Sequence, residues 1–335
     1  MHRRQEGRDE TIVDPDLPIV DAHHHLFIRP TMRYMPEEYL ADVLPGHNVV
    51  ASVYVEGGAF FRPTGPEALK PLGEIEFANG VGAMAAAGAY EGVRICSAIV
   101  GYADFRLGSA VGELFDRAIA TAPDRFRGIR QITMDHPSET PWQYFMSGRP
   151  PAGVLHHPNF RTGFSELARR DLVFDAAVFH NQLGDVAMLA DAFPNTQFVL
   201  NNLGTAMNLD SKAEDRSAGF ATWKAALLDI AKRANFACKI SGLGMPFWGF
   251  GLHERSGPIG SDELVPLWRP YVEAAVEAFG PGRCMMASNY PPDGRSCGIV
   301  PLFNALKRIT ANYSSDEKAA LFSGTASSVY SLSAV

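Results

Sequence analysis

The apolar residues of this chain fall into short continuous runs, and between the runs lie longer stretches in which apolar positions recur at helical spacing. The runs cover 17–20, leading into Asp21-Ala22-His23-His24-His25, then 49–55, 93–100, 126–132, 172–179, 197–200, 236–240 and 284–288. Each reads as a strand, and continuous rather than alternating apolarity is what a strand covered on both faces requires. Helical spacing fills 74–90, 110–122, 163–170, 185–193, 218–234, 262–279, 302–310 and 315–330. Strand and helix alternate, which is the signature of βα units on a parallel sheet. Eight strand candidates predict a closed (β/α)8 barrel of the TIM type, with an open doubly wound sheet as the competing arrangement. No Gly-x-Gly-x-x-Gly follows the first run, which weakens the nucleotide-binding version of the open sheet.

Two passages break the cadence. Residues 135–159, after the fourth strand, and 241–261, after the seventh, are long, irregular and rich in aromatic residues, prolines and glycines. Such loops in a compact domain are usually functional or cover a site. Trp142, Trp248 and Phe250 are the candidates for an apolar lid, against the alternative that they pack their loops onto the body.

With 335 residues, 46% of them hydrophobic, the chain can build one large core. A single barrel domain over 17–335 is expected, preceded by a charged, frayed tail over 1–16. That tail has no apolar segment of a signal peptide or a membrane span, so a cytoplasmic location is expected. The net charge of −7 and the absence of a Lys/Arg-rich block exclude a nucleic-acid partner. Cys96, Cys238, Cys284 and Cys297 form no Cys-x-x-Cys pair and read as reduced core thiols. The expected partner is a small-molecule substrate, with no membrane, and homo-oligomerisation stays open.

The chemistry concentrates around the first strand. Side chains alternate along a strand, so His23 and His25 share one face and His24 turns away. In a barrel the strand ends converge at one mouth. There the sequence places Asp21, His23 and His25, then Glu56, Arg130, His180, Asn202, Ser241 and Asn289. Arg130 suits a bidentate grip on a substrate carboxylate, or an ion pair with a loop acid; Glu56 is a candidate for either partner. Asp293 is a second possible base, or a turn aspartate beside Gly294. His136, His156, His157 and His253 read as loop or surface residues.

These residues, in this order, resemble the amidohydrolase superfamily, in its amidohydrolase-related branch of lactonases and some decarboxylases. The matching stretches are Asp21-Ala22-His23-His24-His25, Gly128-Ile129-Arg130, His180-Asn181-Gln182-Leu183, Asn202-Leu203-Gly204, Lys239-Ile240-Ser241-Gly242 and Ser288-Asn289-Tyr290-Pro291. The resemblance implies a barrel hydrolase acting on a small lactone or related cyclic ester bearing an anionic group. His23, His25 and His180 would polarise the carbonyl or hold one divalent metal, zinc first among candidates, and a metal-free route is equally open. Arg130, Glu56, Asn202, Ser241 and Trp248 would bind the substrate. Two positions depart from the pattern: Asn202 replaces the usual sixth-strand histidine, and Asn289 the eighth-strand aspartate that activates water. Asparagine keeps the shape but takes no proton near neutral pH. Non-oxidative decarboxylation of an aromatic or unsaturated acid, and a barrel that only binds its ligand, are the alternatives.

Overall fold

In the computed structural model, which describes residues 7–146, 148–212 and 215–332, eight parallel strands form one sheet in sequence order. They are β1 (Ile19–His24), β2 (Val49–Val55), β3 (Arg94–Gly101), β4 (Phe126–Ile132), β5 (Val173–Ala177), β6 (Phe198–Leu200), β7 (Phe236–Ile240) and β8 (Cys284–Met286). The ring closes beyond β8, where Asn289 N donates to His23 O at 2.8 Å and His25 N to Tyr290 O at 2.8 Å. The barrel is therefore the expected TIM type and not an open sheet. Its helices include α1 (Pro36–Val43), α2 (Leu72–Ala86), α3 (Val111–Thr121), α4 (Phe160–Ala168), α5 (Leu183–Ala192), α6 (Arg216–Ile230), α7 (Ser261–Phe279) and α8 (Ile299–Ile309). No helix among the described residues is long and apolar enough to cross a membrane.

Alternation along the strands divides the core in two. Val20, Ala22, Ala51, Val53, Val55, Ala98, Val100, Val173, Val199, Ala237, Met285 and Ala287 fill the barrel interior. Residues of the opposite parity, such as Ile99, Ile129, Phe174 and Phe198, pack under the helices. The interior also holds a charged pair: Lys239 Nζ donates to Asp175 Oδ2 at 2.6 Å, with both side chains fully buried. Tyr330 Oη donates to Asp175 Oδ1 at 2.7 Å, and Asn201 Nδ2 to Oδ2 at 3.0 Å. A buried charge is tolerated only with such partners.

Two features differ from the sequence expectations. The passage after β1 forms an antiparallel hairpin, Phe27–Arg29 paired with Met32–Tyr34, followed by α1. The tail is not frayed as far as residue 16. Arg8 forms ion pairs with Asp262 and Glu263, and Glu10 accepts from Ser261 Oγ at 2.5 Å and from Asn304 Nδ2 at 2.9 Å. Residues 1–6 lie outside the described residues.

Candidate active site

The histidines owe their placement to an irregularity in β1. Asp21 pairs with Ser52 and His24 with Tyr54, so three steps along β1 match two along β2. One extra residue re-aims the chain, as β-bulges do beside active sites. His24 thereby faces the helix layer, stacked on Tyr39 with ring centroids 4.5 Å apart and its Nε2 2.9 Å from Ser52 Oγ. His23 and His25 stay together at the mouth, their Nε2 atoms 3.2 Å apart. Asp21 ties the bulge to the end of β8 by accepting from Ser288 N at 2.8 Å and Ser288 Oγ at 2.6 Å.

Val55 O only accepts, so His25 Nδ1, 2.8 Å away, carries the hydrogen and Nε2 presents a lone pair. His23 Nε2 lies 3.2 Å both from Arg130 Nη1, a donor, and from His25 Nε2, an acceptor, and its Nδ1 is buried without a partner. Burial holds both imidazoles well below the usual histidine range, with Lys239 adding to the effect on His23 and Arg130 to that on His25. Both are neutral at pH 7.

Arg130 is itself committed. Its Nε donates to Glu56 Oε1 at 2.8 Å and its Nη2 to Glu56 O at 2.5 Å, with both side chains buried. The ion pair foreseen as the alternative is the one present, and it aims the guanidinium at the histidines. Of these groups His25, Glu56 and Arg130 line a pocket that is partly open to solvent, while His23 is buried beneath it. Its walls are Phe27, Ile132, Met134, Tyr144, Phe145, Met245 and Phe247 from the hairpin, β4 and the two long loops. Asn202 and Asn289 also line it. Ser241 reaches it only through Asn202, whose Oδ1 accepts from Ser241 Oγ at 2.7 Å. Gly242 packs so closely there that a Cβ would lie 2.5 Å from Asn202 Cγ.

Besides Ser241 and the buried His23, three expected site residues, His180, Trp248 and Asp293, are not part of this lining. His180 is half-buried; its Nδ1 accepts from Met207 N at 3.2 Å, and burial, then His136, lowers its pKa. No hydrogen bond or ring contact among the described residues joins it to His23 or His25. The strand that would aim it stops earlier: Val173 packs in the barrel interior and Ala177 lines the pocket, but β5 ends there and His180 opens a 3-10 turn, His180–Gln182, with its N donating to Thr205 O at 3.2 Å. Trp248 is no lid; it is buried, donates from Nε1 to Gly242 O at 2.7 Å and packs on Tyr271 and Phe250. Trp142 packs on Phe145 and Phe179. Asp293 sits behind Asn289, accepting from its Nδ2 at 2.8 Å and from Gly244 N at 3.1 Å, and burial raises its pKa to about 7. Arg29 and Arg295, which line the pocket, escaped sequence reading. Their position in loops after β1 and β8 was the available signal.

A three-histidine zinc site is therefore not assembled. A catalytic zinc takes three protein ligands, whereas no group of three His, Cys, Asp or Glu among the described residues could hold a metal. His23 and His25 supply two donors, and a permanent cation, Arg130, already lies against His23 Nε2.

The comparisons with known proteins agree with this architecture. The family model described as Amidohydrolase matches residues 20–332. An uncharacterized protein, y4mH of Sinorhizobium fredii, is 34% identical over 94% of this chain and 99% of its own length. L-fucono-1,5-lactonase of Burkholderia multivorans is 26% identical over 93% of this chain and 96% of its own. A solved amidohydrolase from B. multivorans with bound zinc superposes with a TM-score of 0.69 at 22% identity, covering 94% of this chain and 99% of that one. With the family model spanning nearly every described residue of the barrel, this chain is an enzyme of the amidohydrolase family.

Proposed function

We propose that this enzyme hydrolyses a small lactone without a metal, and the observation that carries the reading is the buried Arg130–His23–His25 cluster, of which Arg130 and His25 line the pocket. Polarisation of the ring carbonyl falls to Arg130, because neutral His25 has no hydrogen on Nε2 to donate. The Glu56 carboxylate holds the guanidinium in place, so little reorganisation accompanies the build-up of negative charge on the carbonyl oxygen. His25 Nε2 accepts a hydrogen bond from the attacking water. Asn289, whose Nδ2 is committed to Asp293, offers its Oδ1 as the second acceptor. As the water oxygen bonds to the carbonyl carbon, its proton passes to His25. The ring C–O bond then breaks, and the imidazolium returns that proton to the departing ring oxygen, giving a hydroxy acid. Burial makes His25 a weak base and its imidazolium a correspondingly strong acid toward the leaving oxygen. Similarity to a protein named as a lactonase over nearly the whole chain supports the same class of substrate.

Acid release from a panel of sugar and pyrone lactones, followed at constant pH, tests this. Arg130→Gln should lower kcat by roughly 100- to 1,000-fold, the scale for losing one oxyanion donor. Exhaustive chelation should leave the wild-type rate unchanged. Carbon dioxide release from an unsaturated acid in place of lactone opening, or loss of turnover on chelation with recovery on adding zinc, would overturn the proposal in favour of the metal-dependent decarboxylase reading.

A further inference from the structure

The pocket contains a second cation with no counter-charge. Arg295 is only 6% exposed, yet its sole hydrogen bond among the described residues runs from Nη1 to Tyr144 O at 2.9 Å. Its Nε and Nη2 are buried and have no partner. These two nitrogens form one edge of the guanidinium, the edge that takes both oxygens of a carboxylate in a bidentate pair. Buried polar groups are nearly always satisfied and buried charges nearly always paired; Arg130, in the same pocket, has Glu56. Burial pulls the Arg295 pKa down, and no carboxylate acts on it to restore the balance.

The charge of the whole lining points the same way. Arg29, Arg130 and Arg295 stand against the single carboxylate of Glu56, a surplus of two positive charges in a chain whose net charge is −7. Arg29 spends its terminal nitrogens on Met146 O, at 2.5 Å, and Gly57 O, and its Nε too is buried without a partner. The Glu56 and Glu74 carboxylates act on Arg29, which leaves Arg295 as the cation of this lining on which no carboxylate among the described residues acts.

We infer, resting on the lactone-hydrolase reading, that Arg295 is the specificity-determining residue of this pocket and that its unpartnered fork receives a carboxylate carried by the lactone substrate. Arg130 works at the carbonyl, and Arg295 selects which carbonyl compound is held there. The substrate class is thus a cyclic ester bearing a carboxylate, and the product is a hydroxy diacid. The two fork nitrogens are buried, and low polarity around them strengthens a charged hydrogen bond.

The test uses the full chain and pairs of lactones that differ only in charge, such as 2-pyrone-5-carboxylate and its methyl ester, with binding followed by calorimetry and turnover by acid release. The carboxylate form should bind the wild type more tightly than the ester. Arg295→Gln should weaken carboxylate binding by roughly 10- to 100-fold, the scale of a lost charge-assisted pair, raising KM with little change in kcat and sparing the ester. Arg295→Lys, which keeps the charge without the fork, should recover part of the loss. Arg295→Met should raise the unfolding midpoint of the ligand-free protein, because it removes an unpaired buried charge; a merely structural arginine would give a fall. The inference is overturned if the wild type prefers the esters or takes up none of the carboxylates, or if Arg295→Gln weakens both forms equally. Carboxylate binding that depends on Arg295 in a protein that opens no lactone would sink the hydrolase reading alone. Lactone opening indifferent to Arg295 would sink only this one.

Discussion

Asn289 stands where the family pattern has an aspartate, and a carboxylate is nevertheless present one helical turn away. Asp293 holds the Asn289 amide and titrates near pH 7 because it is buried. Ionised, it accepts from Asn289 Nδ2 and leaves Oδ1 for the attacking water; protonated, it can donate to Oδ1 and turn the NH2 toward the pocket. The lactone-opening rate should therefore rise with pH through about 7, and Asp293→Asn should flatten that profile, as a pH-rate series on both proteins would reveal. Stability runs the other way. The folded pKa lies above the unfolded value of 3.8, so the contribution of Asp293 is complete below about 4 and lost as pH rises through about 7. Urea unfolding should show Asp293→Asn gaining on the wild type between about pH 4 and pH 7, by at most about 1.4 kcal/mol per pH unit. A constant difference would mean that the carboxyl does not titrate there.

At the scale of elements, the strands were legible because both faces of a parallel barrel are apolar and short apolar runs announce them; β2, β4 and β7 match their runs residue for residue. Position within a strand was harder to read. His23 and His25 reach the mouth through a bulge that alternation alone does not announce, and His180 lies past the end of β5 at Ala177, in a 3-10 turn that no strand pattern aims. Arg295 was invisible because what matters is a partner it lacks, which no local pattern encodes. The N-terminal segment misled for a related reason: its charges look solvated until the first turn of α7 is placed beside them. Glu10 accepts from Ser261 Oγ at that helix start, where backbone N–H groups have no helical partner and the dipole favours an anion. Glu10→Ala should accordingly cost about 1–2 kcal/mol in urea unfolding, whereas Asp9→Ala, with no such contact, should fall within about 0.5 kcal/mol. Equal effects would return the segment to the status of a loose tail.

For the whole molecule, the mouth and the interior of the barrel are one electrostatic system. Lys239 and Asp175 cross the interior between β7 and β5, and Tyr330, from the last turn of the chain, closes it from the far end. Burial keeps the His23 imidazole neutral and the Lys239 ammonium adds to that effect, so the interior reaches the mouth through this charge. Its worth to the fold is a separate matter, since two buried charges gain from each other about what they lose in hydration. Lys239→Met should cost about 3–5 kcal/mol, because it strands a carboxylate that Tyr330 and Asn201 alone cannot compensate. Adding Asp175→Leu should restore most of that stability, as pairwise removal of both charges leaves only an unfilled tyrosine hydroxyl and asparagine amide. Chemical denaturation of the two single variants and the double closes the cycle. If the double variant is no more stable than Lys239→Met, the two charges are not coupled and the layer is held by packing.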